Sequence, residues 1–206
     1  MRARIDLAVD AASTTGFGSN VTGANFVLTA NAATDGLAHR VTIHNDAAVD
    51  HSGKTITLVG TDANGNAMTE EVTGPDASAT VTSTHYFKTL ESATPSATIG
   101  ADTFDIGWND EVASPVVPLN YKGLNPADIG VQVSGTAEFT VQETFDDVLS
   151  SLDALQSADW FPITALDGKT ADTVGSAAGS ATGVRMVTNS YTAGAVLTLR
   201  CNQDAI

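Results

Sequence analysis

His39, His44 and His51 lie close together in the chain with Asp46 and Asp50 among them. Imidazole plus carboxylate is the ligand set of zinc and non-haem iron sites. Their spacing fits no standard metal motif. The neighbouring alternation puts His44 on the polar side of a strand and His51 beside a Gly turn, so solvated surface histidines are the expectation; His85 stands alone. Asp62, Asn64 and Asn66 imitate the opening of a calcium loop, but Ala67 and Thr73 occupy the sixth and twelfth positions, where an EF-hand needs Gly and Glu. A hairpin turn accounts for the same residues. Gly16-Phe17-Gly18 begins like a dinucleotide fingerprint, yet Val21 stands where its third Gly belongs. The nearest text to a nucleophile elbow, residues 175–179, has Ala177 at its centre. Glu70 and Glu71 are neighbours on a strand and point to opposite faces, so they cannot share a substrate. Asp146 and Asp147 are explained by the first turn of a helix. Asn20-Val21-Thr22 is a formal glycosylation sequon without an export signal before it. The expectation is a chain that is not an enzyme, with no catalytic, cofactor-binding or metal-ligating residue.

The elements that carry these residues follow from composition and period. The 206 residues can bury a sizeable core, and 42% hydrophobic against 16% charged residues excludes a chain too polar to fold. With 24 acidic and 9 basic residues the net charge is −15, which repels phosphate backbones and anionic membranes; sequence-specific nucleic-acid binding and membrane association are not expected. The lone Cys201 excludes an intrachain disulfide and a zinc ribbon. No apolar run approaches a membrane span, so the chain reads as soluble and not exported.

Val and Thr at alternate positions, punctuated by Gly, Asn, Asp and Ser, give the period of half-buried strands. Val41 and Ile43 share the inner face of residues 40–44, and Ile56 and Leu58 that of 55–59. Asn64-Gly65 then predicts a tight hairpin with both central residues at positive φ, returning over 68–72. Further strands are expected at 79–82, 86–90, 97–99 and 103–108. Pro115 and Pro118 mark a connector near residue 115. A second hairpin is expected around Ser134-Gly135, joining 129–133 to 137–142, and a closing strand pair at 184–187 and 195–199. Val148, Leu149, Leu152 and Leu155 have helical spacing over 146–156. The stretch 175–183, rich in Gly, Ala and Ser, reads as a mobile loop. Residues 1–35, poor in bulky side chains, read as an extended arm that orders against a neighbour, with 25–28 able to add one strand. The fold class is therefore all-β: two consecutive antiparallel β-sandwich or barrel-like units, 36–115 and 116–206, with one short helix and an extended N-terminal arm over 1–35.

Two stretches carry a resemblance. Leu58-Val59-Gly60-Thr61-Asp62-Ala63-Asn64-Gly65-Asn66, continuing through residues 70–75 to His85-Tyr86-Phe87-Lys88-Thr89-Leu90, resembles repeats in virion proteins of tailed bacteriophages. Residues 131–147, Trp160-Phe161-Pro162 and Val196-Leu197-Thr198-Leu199 are similar to small phage structural proteins. The resemblance implies a non-enzymatic virion protein, assembled in the host cytoplasm. It implies a homo-oligomer whose partners are other virion proteins of the neck, tail or capsid. A neck or tail component is the first expectation and a capsid decoration protein the second. A glycan-binding tail module is the third, with Trp108 and Trp160 as its candidate platforms.

Overall fold

The structure is a computed structural model and describes residues 1–123 and 125–204. It is nearly all β. The first half of the chain forms β1 (Arg2–Ala8), β2 (Ser13–Val21), β3 (Ala38–Asn45), β4 (Thr55–Thr61), β5 (Ala67–Thr73), β6 (Thr80–Phe87), β7 (Thr89–Pro95) and β8 (Phe104–Ala113). The second half forms β9 (Val117–Pro118), β10 (Ala127–Ser134), β11 (Ala137–Thr144), the helix α1 (Leu152–Gln156), β12 (Phe161–Pro162), β13 (Thr173–Ala177), β14 (Gly183–Tyr191) and β15 (Val196–Asn202). The described strand pairs are antiparallel.

Two compact units result. One is continuous, Ala12–Asp110; the other combines Met1–Ala11 with Glu111–Ile206, so that the first is inserted in the chain of the second. In the inserted unit β4 lies between β5 and β7, and β3 lies between β6 and β8, with β2 also paired to β8. Val41, Ile43, Ile56 and Leu58, drawn from both sheets, join one buried cluster with Phe17, Phe87, Phe104 and Trp108. All four aliphatic residues point inward as their alternation predicts. Each such side chain removed from water contributes about 1.5–3 kcal/mol.

The discontinuous unit has a sheet in the order β1-β15-β10-β13, and β11 lies between β12 and β14 in a second sheet. Leu7, Ile129, Val131, Leu197 and Leu199 on the first, with Phe139, Val141, Val184 and Met186 on the second, are fully or nearly fully buried.

Several sequence expectations are corrected. Residues 1–35 are not an extended arm. β1 pairs with β15 from Arg2↔Asn202 to Ala8↔Val196, and Leu7 is fully buried. β2 contributes Phe17, which meets Trp108 edge-to-face at 5.0 Å. Gly16 makes this possible, because a Cβ there would lie 1.9 Å from the Trp108 ring. Phe26 is buried against Phe104 outside any strand, so 25–28 adds none. The division between units falls at 11/12 and 110/111 instead of 35/36 and near 115. No strand covers 97–99.

The stretch 175–183 is not a loose loop. Thr173–Ala177 is β13, laddered to β10, and Ala181 and Thr182 are buried. Its small residues suit close approach: a Cβ at Gly175 would lie 2.9 Å from Leu166. The helix is confined to Leu152–Gln156, with Asp146 and Asp147 in the turn before it. Leu149 is 61% exposed, so the apolar spacing over 146–156 marks a surface strip and not a core-facing stripe.

The hairpin expected at Ser134-Gly135 does not form. β10 pairs with β13 and β15, whereas β11 pairs with β12 and β14, so the turn between them is an arch from one sheet to the other. β14 and β15 are joined by a second arch, so the expected closing pair is likewise split. The arches lie on each other: Thr192 N donates to Thr136 O, and a Cβ at Gly135 would lie 3.1 Å from Ala195 Cα. Alternation identifies strands but leaves each strand's partner open.

Candidate functional site

Two of the histidines are interior groups, contrary to the surface expectation. His51 is 3% exposed and sits in a relay. Its Nδ1 accepts from the Lys54 ammonium at 2.7 Å, and its Nε2 faces Asp102 Oδ2 at 3.0 Å. An ammonium can only donate, so the ring proton is on Nε2 and points to the carboxylate. The local backbone fixes this arrangement. His51 N donates to Pro75 O, Lys54 N to His51 O and Gly74 N to Lys54 O. A Cβ at Gly74 would approach His51 O to 2.4 Å. Both ring nitrogens are engaged, so the relay fastens the 51–54 turn to Asp102 and offers no ring nitrogen to a substrate.

His39 is fully buried within the inserted unit. Its Nδ1 faces Asn109 O at 3.0 Å, and its Nε2 faces both Asp35 oxygens at 3.0 and 3.1 Å. Both ring nitrogens are thus engaged inside the unit, and neither is offered to a metal or a substrate. His44 is at the surface, where Nδ1 meets Thr80 Oγ1 at 2.9 Å. The three rings are thus held by separate partners, and no group of metal-ligating side chains is found among the described residues.

The other candidates have structural roles. Asp62 Oδ1 accepts from Asn64 N and Asn66 N at 2.8 and 2.9 Å, and Oδ2 accepts from Asn66 Nδ2 at 3.2 Å. The apparent calcium loop is a carboxylate-held turn. Glu70 accepts from Thr84 N and His85 N, tying β5 to β6. Asp50 accepts from Ser52, which holds its carboxyl below the usual aspartate range. Cys201 faces the core of β15, and burial pushes its thiol up, away from the reactive thiolate. Trp108 is 4% exposed, and Trp160 is half-buried beneath Arg185, whose Cζ lies 4.3 Å from the ring centroid. Neither indole presents an open platform.

Two surfaces of the discontinuous unit escaped sequence reasoning. The first is the segment 145–161, whose base is closed by Asp159 N donating to Asp146 Oδ2 at 2.6 Å. It exposes Phe145, Leu149, Leu152 and Phe161 at 39–61%, with the two phenylalanine rings 5.9 Å apart. Asp146, Asp147 and Asp159 are exposed beside them. The available signal was aromatic residues set directly against aspartates, Phe145-Asp146-Asp147 and Asp159-Trp160-Phe161.

The second is the outer face of β1-β15-β10-β13. Arg4, Arg200, Gly130 and Val174 are in register across it, with Arg2 one step along β1 on the same side. Val174 is 80% exposed, and Gly130 leaves an open trough of about 500 Å³ between it and Arg200. Arg4 pairs with Asp6 at 3.1 Å, and Arg200 donates to Gln132. Three of the nine basic residues thus share one face of a chain with 24 acidic ones. The signal for it was the alternation Arg2-Ala3-Arg4, which reads as a strand with a basic side.

No family model matches the chain, and no curated protein matches it. Among solved structures it is similar to the major capsid protein P2 from Bacteriophage PM2, at 8% identity over 100% of this chain and 98% of that one, with a TM-score of 0.21. So low a score leaves the two folds unmatched and transfers neither architecture nor role. What the geometry itself presents is two exposed surfaces: an apolar segment edged with carboxylates, and an open trough lined by Val174, Arg200 and Asp128 beside Arg2 and Arg4.

Proposed function

We propose that the chain is a non-enzymatic virion structural protein of a tailed bacteriophage, present in several copies in the neck or tail. The observation that carries this reading is the exposed ring pair Phe145 and Phe161, 5.9 Å apart, with Leu149 and Leu152 exposed in the segment between them, on a chain of net charge −15. Large apolar side chains clustered in water mark a surface that is covered in use. The sequence resemblance of residues 58–90 and 131–147 to phage virion proteins supplies the setting. Rigid β units with interfaces of this kind suit repeated assembly, where modest contacts add up. No helix among the described residues is long and apolar enough to cross a membrane.

Quantifying the chain in purified particles tests the reading. About a dozen copies or fewer fit a neck ring, and hundreds fit a tail tube or capsid decoration, since closed rings have fixed small copy numbers. Absence from the particle overturns it. The glycan-binding alternative is not favoured by the positions of Trp108 and Trp160.

A further inference from the structure

The geometry points to a head-to-tail contact between copies of this chain, in which the 145–161 strip of one copy seats on the Arg2/Arg4/Arg200 face of the next. The inference takes from the proposed function only that copies of the chain meet. Charge selects the partner surface. A two-fold contact of the strip with itself would bring Asp146, Asp147 and Asp159 against their own copies, a like-charge juxtaposition that costs affinity. The outer face of β1-β15-β10-β13 carries Arg2, Arg4 and Arg200 against Asp6 and Asp128, three cations to two carboxylates on an otherwise strongly acidic chain, and the guanidinium of Arg2 makes no hydrogen bond or ion pair among the described residues.

Shape agrees with charge. The row Arg4-Arg200-Gly130-Val174 places a side-chain gap between a guanidinium and an exposed valine. The trough of about 500 Å³ is open to solvent and lined by Gly130, Val174, Ser176, Asp128, Arg200 and Asn202, so it offers a seat for an apolar side chain from a neighbouring surface. Gly130 is not needed for the fold itself. Its φ is not positive, and a Cβ there would make only ordinary contact, 3.9 Å from Val174 Cγ1. Its lack of a side chain serves the outer surface. A contact between two different patches is heterologous, and it propagates into a ring or a filament according to whether the rotation closes.

Sedimentation of the full chain at about 0.15 M salt tests this, because distant repulsion is screened over about 8 Å while touching charges still pair. The wild type is expected to form oligomers beyond the dimer as concentration rises. Phe161→Ser and Gly130→Leu each alter an outward-facing position and are expected to be monomeric with unchanged circular dichroism. Their equimolar mixture is expected to give dimers and nothing larger, since one intact strip meets one intact trough. The contact is overturned if the wild type stays monomeric to about 1 mM, the limit of a weak specific interface. It is also overturned if Gly130→Leu oligomerises normally, or if the folded variants fail to complement. Particle analysis separates the two proposals: complementation by a chain absent from virions would leave the contact standing and the virion role refuted. Normal incorporation and copy number of Phe161→Ser would do the reverse.

Discussion

The turn between β4 and β5 and the turn between β10 and β11 look alike in sequence, each a polar stretch with one Gly between alternating strands. They do opposite things. The first returns its strand to the same sheet, with Thr61 opposite Ala67. The second sends its strand to the other sheet. Gly65 and Gly135 have nearly the same left-handed backbone, φ +85° and +90°. The glycine therefore does not decide between them; what receives the loop's polar groups does. At 62–66 the loop is closed on itself: Gly65 N donates to Asp62 O, Asp62 N to Asn66 O, and the Asp62 carboxylate gathers Asn64 N and Asn66 N. Asn64 has negative φ, so this is a type I turn followed by a left-handed glycine and not the mirror-image turn that Asn-Gly suggests. At 134–137 the Thr136 carbonyl is taken by Thr192 of the second arch, through both its N–H and its hydroxyl.

The contrast can be broken most strongly at Gly135. Gly135→Ala combines a left-handed alanine with a Cβ 3.1–3.2 Å from Ala195, and is expected to cost about 2–4 kcal/mol in urea denaturation. A loss below about 1 kcal/mol would show that the arches do not lie on each other as described. Asp62→Ala comes next. It strips the partners from two backbone N–H groups, for an expected loss of about 1–3 kcal/mol, with faster amide exchange at Asn64 and Asn66. Gly65→Ala should cost only about 1–2 kcal/mol, because a Cβ there meets open space and the backbone penalty stands alone. Equal losses at Gly65 and Gly135 would remove the crowding argument.

The smallest effect belongs to a strand pair with no turn at all, β1 with β15. The Thr198 hydroxyl and then Arg4 hold the Asp6 carboxyl below the usual aspartate range. A lowered folded-state pKa contributes stability above the unfolded value, about 3.9, that is lost as pH falls through the folded one. Thr198→Val is expected to move the Asp6 titration midpoint upward by carboxyl NMR. An unmoved midpoint would assign the shift to Arg4 and Arg200.

These residues also show what was legible. Val41, Ile43, Ile56 and Leu58 were placed correctly because alternation is a local property of the chain. Phe17 was not, since its burial depends on Gly16 making room for Trp108, far along the sequence. His39 and His51 were misread as surface histidines for the same reason: the local sequence shows neither Asn109 nor Asp102, which arrive from distant segments to satisfy the rings. The helical spacing of Val148, Leu149 and Leu152 overstated the helix, which begins only at Leu152, and of these three side chains only Val148 is buried. Periodicity reports which side chains share a side, and leaves open whether that side faces a core or a partner.

The pairing of β1 with β15 also sets an order of events during synthesis. Arg2 must wait for Asn202, and at about 5–20 residues per second the interval is roughly 10 to 40 s. Ala12–Asp110 emerges entirely within that interval and holds its own two-sheet core, so it can fold while β1 is still unpaired. A folded insert brings its chain entry and exit into a fixed relation, which shortens the effective loop that β1 and β15 must close and lowers the entropy lost in closing it. A ribosome-stalled chain ending before β14 should therefore resist protease over 12–110 and be cut freely within the first eleven residues.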